Sequence, residues 1–263
     1  MIRTMTISVR PTTLDEISEF RERYQSRAGC QIVHDSILPR RLADPWLFLE
    51  RSAPIGYAGV WNEHYPGRIM EAYFETEDQD VQVAAIEALA VETGATELGG
   101  QTNLQGSLAL VERCCSSVWT EKLLFAEPEE GMSTPRARSD LVVPGATFRR
   151  RRDEDEGPDG PWVVELGGAV VAAGGILTHY NPPYGDLYME VAEARRGEGL
   201  GSYIVQELRS AAKEAGLVPA ARCSPDNVPS RAALERGGLI RCGRLVWGAL
   251  GRLSTGSDHG TIA

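Results

Sequence analysis

The chain contains no apolar run approaching the roughly 20 residues that span a bilayer. Its first residues, MIRTMTISVRP, lack the apolar core of a secretion signal. Neither a membrane protein nor a secreted one is expected, and a cytoplasmic location is. Cysteine is scarce: Cys30, Cys114, Cys115, Cys223 and Cys242 are an odd number without CxxC spacing. That argues against a disulfide framework, a structural zinc site or any other metal centre. All five read as small buried hydrophobes, the adjacent Cys114-Cys115 included. Positive charge is also in short supply, with 27 Lys+Arg against 37 Asp+Glu and a net charge of −10. Duplex binding rests on neutralising phosphates, so nucleic acid is excluded as the main partner.

What is present is the composition of a globular protein, 42% hydrophobic and 24% charged. At 263 residues it can hold one large domain or two ordinary ones. The charge is uneven: residues 1–137 carry 12 Lys+Arg against 21 Asp+Glu, residues 138–263 carry 15 against 16. The first half would then face something cationic and the second something anionic, unless the acidity only keeps the protein soluble.

Two segments read alike at an offset of 116 residues: WLFLERSAPIGYAGVWNEHYPG from Trp46 and WVVELGGAVVAAGGILTHYNPPYG from Trp162. Each predicts a strand, a tight turn (Ser52-Ala-Pro54; Gly167-Gly168), a second strand and a proline-containing loop. An alternating run follows in each, RIMEAYFE and DLYMEV, then a helix that ends at Gly94 or Gly216. A short strand leads to Asn103 or Asn227, and a short helix follows both. This common order predicts an α/β protein (α+β mixed sheet) of two tandem domains. The expected boundaries are 1–125, a linker at 126–137, a second domain at 138–252 and a mobile tail at 253–263. The first half opens with a helix, LDEISEFRERYQSRAG, capped by Thr12 or Thr13; the second half has no counterpart.

The halves differ most at VAEARRGEGLG, residues 191–201, whose first-half equivalent reads TEDQDV. A strand, a glycine-rich turn and a helix N-terminus form a general anion site. Arg196 supplies charge and Ser202 a hydroxyl. There is no Walker lysine, and Gly197, Gly199 and Gly201 have the spacing GxGxG instead of the dinucleotide GxGxxG. An oxidoreductase reading therefore fails on spacing.

Arg196-Gly-Glu-Gly-Leu-Gly201 resembles [Q/R]xxGx[G/A], the acyl-CoA pyrophosphate loop of the GNAT superfamily of N-acetyltransferases. Val191 stands where that family's pattern enters the loop, with Glu193 in place of a proline. NVPSRAALERGGL, from Asn227, resembles the segment whose Asn and small residue (here Ser230) lie beside the pantetheine arm. The matches cover about residues 160–250, and the first half resembles a degenerate member without the cofactor loop. The resemblance implies two GNAT-like domains, each a mostly antiparallel sheet flanked by helices. It also implies acetyl-CoA as cofactor and direct attack by the amine of a small, possibly cationic substrate in a cleft between the halves, in a monomer or homodimer.

The cofactor residues it implies are Met189, Glu190 and Val191 on a bulged strand, whose backbone N–H groups serve as oxyanion donors, then Arg196, Gly197, Glu198, Gly199, Leu200, Gly201 and Ser202, and finally Asn227 and Ser230. Glu190 and Asp186, on one face of that strand by alternation, are the candidate bases, with His179, Tyr180 and Tyr184 nearby. Many members carry an acidic tyrosine seven residues after the motif Asn; here that position is Leu234. Tyr188, Ser230 or Cys223 could replace it. A non-catalytic acyl-CoA-binding protein, or an enzyme acting on a non-amine acceptor, stays open. Arg149 to Arg152 read as a solvated strand end, and His34-Asp35 as loop structure.

Overall fold

The computed structural model describes residues 6–129 and 141–251. The linker residues 130–137 and the tail expected at 253–263 lie outside them. In the first half the order is β1 (Ile7–Pro11), α1 (Ser18–Arg27), β2 (Ala43–Glu50), β3 (Ala53–Trp61), β4 (Arg68–Phe74), α2 (Gln79–Thr93), β5 (Glu97–Gln101), α3 (Ser107–Cys114) and β6 (Cys115–Ala126). The second half has β7 (Ala146–Arg150), β8 (Trp162–Leu166), β9 (Ala169–Leu177), β10 (Tyr184–Val191), α4 (Leu200–Glu214), β11 (Val218–Cys223), α5 (Val228–Arg236) and β12 (Ile240–Leu250).

The two predicted hairpins form. Gly167 and Gly168 both take positive φ, 63° and 81°, as a two-residue primed turn requires. In the first half Arg51 and Ser52 do so, at 49° and 71°, so the turn lies one residue earlier than expected and Pro54 is already in β3. The α1 expectation is also corrected. Thr13 Oγ1 accepts the Glu16 N–H at 3.3 Å and closes a turn ahead of the helix. The helix itself starts at Ser18, after the fully buried Ile17 and without a side-chain cap.

The twelve strands of the described residues form one sheet, in the order β1-β2-β3-β4-β5-β12-β6-β11-β10-β9-β8-β7. Among the described residues, only β4/β5 and β10/β11 pair in parallel. The centre of this order is an exchange: β12 pairs with β5 of the first half, and β6 pairs with β11 of the second. The two exchanged strands run against each other from Ile240↔Ala126 to Leu250↔Cys115. Leu123 and Phe125 of β6 are consequently core residues of the second half, packed with Ile204 and Leu208 of α4.

Helices α4 and α5 cover one face of the second half. Segment 28–42 of the first half crosses its other face. Tyr184 Oη donates to Ala28 O at 2.7 Å, Gln31 Nε2 to Asp186 Oδ1 at 2.9 Å, and Ile32 N to Asn181 Oδ1. The first half thus supplies the cover for which the second half has no helix. Arg149 is no solvated strand end: it bonds Asp155 at 2.6 and 2.7 Å and Glu165 at 2.6 Å.

Candidate active site

Strands β10 and β11 pair from Tyr184↔Val218 to Leu187↔Ala221 and then part. Beyond Leu187, β10 keeps only its β9 partner, in unbroken register to Val191↔Ala172. The expected bulge is therefore absent there, and the gap is made by divergence from β11. Ala192 N donates to Val171 O at 2.9 Å. By strand alternation the Glu190 amide also faces β9, while the Met189 and Val191 amides face the gap.

The chain leaves β10 through a short 3-10 turn, Glu193–Arg195, into the glycine-rich loop. Gly197 and Gly199 have φ of 89° and 85°, and a Cβ on either would meet nothing within 4 Å. Gly199 is the N-cap of α4. Its carbonyl accepts from Ser202 N and Tyr203 N, at 3.1 and 3.0 Å. Among the described residues, the backbone N–H groups of residues 197 to 201 donate to no protein group. Arg195 and Glu198 pair across the loop at 2.7 Å, which leaves Arg196 as its cation without an ion pair among the described residues. An open run of amides at a helix N-terminus fits a phosphate.

Three loop residues serve the helix as much as the loop. Leu200 is buried in the core. Gly201 lies in the first turn, where a Cβ would meet Ala233 Cβ of α5 at 3.3 Å. Ser202 is 5% exposed, so its hydroxyl is withdrawn from the loop surface. Asn227 caps α5 by accepting the Ser230 N–H at 3.0 Å, which leaves its amide NH₂ as the free donor. Leu234 is 3% exposed in the core cluster. Burial pushes the nearby Cys223 thiol up.

The first half is built differently at the equivalent point. Asp78 caps α2 with its own carboxylate, accepting from Asp80 N at 3.0 Å and Val81 N at 3.4 Å. A cavity of about 650 Å³ lies beside this cap, lined among others by Tyr73, Glu77, Gln79 and Asn103. The amides that the second half leaves open are here satisfied internally, next to further acid.

The face of β10 opposite α4 carries Asp186, Tyr188 and Glu190. Asp186 is buried and is held by Gln31 and by Arg222 at 3.4 Å. Burial raises its carboxyl above the usual range, against the opposing pull of Arg222. Tyr188 is 39% exposed and Glu190 is exposed. The ring of Tyr188 occupies the space above Gly175, where a Cβ would meet Tyr188 Oη at 2.8 Å. Arg222 is the first β11 residue past the last paired position, so it stands at the mouth of the gap.

From there a cavity of about 380 Å³ runs between the halves. Its walls include Trp61 and Arg68 of the first half, His179, Tyr180 and Arg222 of the second, and Glu121 and Trp247 of the exchanged strands. Arg222 donates to Tyr180 Oη at 2.5 Å, and Trp247 Nε1 to Glu121 Oε2 at 2.6 Å. His34 packs between Trp61 and Trp247, with ring centroids at 6.1 and 5.8 Å. Burial pulls its pKa down to about 4, so it is neutral. Asp35 turns the other way, to Arg21 at 2.7 Å; the two adjacent residues form no dyad. His34 Nε2 and Trp61 Nε1 are buried without a hydrogen-bond partner among the described residues, a state that costs about 1–3 kcal/mol for each group. Of this cavity, His179 and Tyr180 are the residues that the sequence offers as site candidates, and His34 is expected only as loop structure. The cationic and aromatic walls come from residues far apart in the chain, with no local signature to find them by.

Residues 124–238 match the model of the acetyltransferase (GNAT) family. A GNAT-family acetyltransferase from Colwellia psychrerythraea is similar over 94% of this chain and 100% of its own, with a TM-score of 0.72 at 14% identity. A tandem GNAT protein from the clavulanic acid biosynthesis pathway covers the same shares at a TM-score of 0.53 and 14% identity. A GCN5-related N-acetyltransferase from Sphaerobacter thermophilus gives 0.53 at 12% identity, over 92% of this chain and 95% of its own.

Proposed function

We propose that this chain is a GNAT-superfamily acyltransferase that transfers acetyl from acetyl-CoA to the amine of a small molecule by direct attack, a reading supported by the family-model match at residues 124–238 and by the shared fold. The observation that carries the proposal is the open run of amides from residue 197 to 201, at the N-terminus of α4 and beside the gap between β10 and β11.

Acetyl-CoA supplies the activated acyl carbonyl. The amides of residues 197 to 201 and the Arg196 guanidinium hold its phosphates, and the free NH₂ of Asn227 and Ser230 flank its arm. The Met189 and Val191 amides, unpaired at the gap, offer donors to charge developing on an oxygen there. An alkyl amine resembles lysine, with a pKa near 10.4, and must lose a proton to attack. Glu190, the exposed carboxylate on the open side of β10, takes it directly or through water. Asp186, held by Gln31 and Arg222, positions Arg222 at the mouth of the gap. Tyr188 is the hydroxyl placed on the same face to return a proton to the departing thiolate. The protein is then a cytoplasmic enzyme, acting as a monomer or homodimer.

One observation favours a second reading, acyl-CoA binding without turnover: Leu234 stands buried where many relatives carry their acid. Calorimetry of the protein and of Gly199→Glu with acetyl-CoA, beside a turnover assay on a panel of amines, separates the two. One site per chain, lost in the variant, together with turnover supports the transferase. Binding without turnover of any amine supports the sensor. No binding to the wild type removes both.

A further inference from the structure

We infer that the cavity between the halves takes an acceptor that carries a carboxylate as well as its amine, on an apolar or aromatic body: an amino-acid-like molecule and not a polycation. The inference rests on the acetyl-transfer reading of the adjoining gap.

The first support is charge. The protein is acidic overall at −10, yet this cavity is lined by Arg40, Arg68, Lys122 and Arg222 against one lining carboxylate, Glu121. Two of the four cations are already engaged by carboxylates: Arg68 pairs with Glu97 at 2.5 Å, and Arg222 with Asp186 at 3.4 Å. Arg40 makes no ion pair among the described residues, and Lys122 reaches only Ser224 Oγ at 3.4 Å. The cavity thus holds two cations without an ion-pair partner among the described residues, against the single carboxylate of Glu121. A cationic acceptor would meet both as repulsion, whereas a carboxylate meets them as partners.

The second support is independent of charge. His34 Nε2 and Trp61 Nε1 lie in the same wall, buried and without hydrogen-bond partners among the described residues. An indole N–H can only donate, so the missing partner of Trp61 is an acceptor atom, which a carboxylate or carbonyl oxygen supplies and an ammonium does not. The third is shape. Trp61, Trp247 and Tyr65 form an aromatic wall, closed by Val33 and Ile37. Glu121 uses one oxygen on Trp247, and its carboxylate is the acid on the lining that balances the charge of an incoming ammonium. Cations for a carboxylate, an acid for an ammonium and an aromatic wall in one cavity match an amino acid.

The test uses the full chain with acetyl-CoA and matched acceptors: phenylalanine, its decarboxylated analogue phenethylamine, and spermidine. The expected result is a kcat/KM for phenylalanine at least about tenfold above that for phenethylamine, with spermidine poorest. Arg40→Gln, a change at an exposed position, is expected to raise the KM for phenylalanine about tenfold, the size of one lost charged hydrogen bond. The KM for phenethylamine, which has no carboxylate to lose, rises less than that for phenylalanine, so the ratio of the two is the readout. A calorimetric titration with N-acetylphenylalanine, without acetyl-CoA, reads the cavity separately from the chemistry. Binding that Arg40→Gln weakens, in a protein that turns over nothing, keeps the ligand class and overturns the transferase. Turnover of phenethylamine or spermidine as good as that of phenylalanine keeps the transferase and overturns the ligand class. Neither binding nor turnover of the carboxylate-bearing probes also overturns it.

Discussion

Leu234 shows how one residue's identity and its surroundings jointly decide its role. It follows Asn227 by the spacing at which an acid is expected, but it packs with Leu200, Ile204 and Leu208. Leu234→Tyr would therefore overpack a filled site before it supplied an acid. The expected outcome is a loss of about 1–3 kcal/mol, seen as a lower thermal midpoint, with no gain in kcat. His34 makes the second residue-scale prediction. Its folded pKa of about 4 lies below the unfolded value of about 6.5, so between those values the unfolded chain binds more protons. Its contribution is intact above pH 6.5 and is lost as pH falls toward 4, by about 3 kcal/mol at 1.36 kcal/mol per unit. Glu71 works in the opposite sense, since burial raises its pKa to about 7: its contribution is complete below pH 4.5 and fades as pH rises through 7. Urea titrations of wild type and His34→Gln at pH 4, 5.5 and 7 isolate the first effect. The expected result is that wild type loses stability relative to the variant as pH falls; parallel curves would refute it.

At the scale of elements, the start of α4 separates folding from binding. The Gly199 φ of 85° costs a side chain about 1–2 kcal/mol, but a Cβ there meets no atom within 4 Å. Gly199→Glu should therefore fold, with a midpoint lowered by several degrees at most, and should lose acetyl-CoA by more than about tenfold because its carboxylate sits at the anion site. A variant that unfolds, or one that still binds, would contradict this. The strand–glycine–helix order was legible from local sequence alone. That Gly201 instead serves the contact between α4 and Ala233, that Ser202 is buried, and that the gap arises by divergence instead of a bulge were not. Each depends on what packs against the element, which periodicity does not encode.

At the scale of the molecule, the exchange of β6 and β12 decides which pieces can stand alone. A fragment of residues 138–252 lacks β6, leaving the edge of β11 unpaired and the places of Leu123 and Phe125 empty. A fragment of residues 115–252 restores both. Circular dichroism and urea unfolding should find a cooperative transition only in the longer one. A cooperative, equally stable 138–252 would show that the exchanged strand contributes nothing to the second half.

The sequence by itself determined the repeat, the order of elements within each half and the loop that distinguishes them, because alternation, helical spacing and positive-φ glycines are properties of neighbouring residues. Only the tertiary structure decided that the halves share one sheet, that segment 28–42 covers the second half, and that His34, Trp61, Arg40 and Arg222 line a common cavity. Those residues come together through strand pairings between distant parts of the chain, and pairing partners at that distance leave no mark on local pattern.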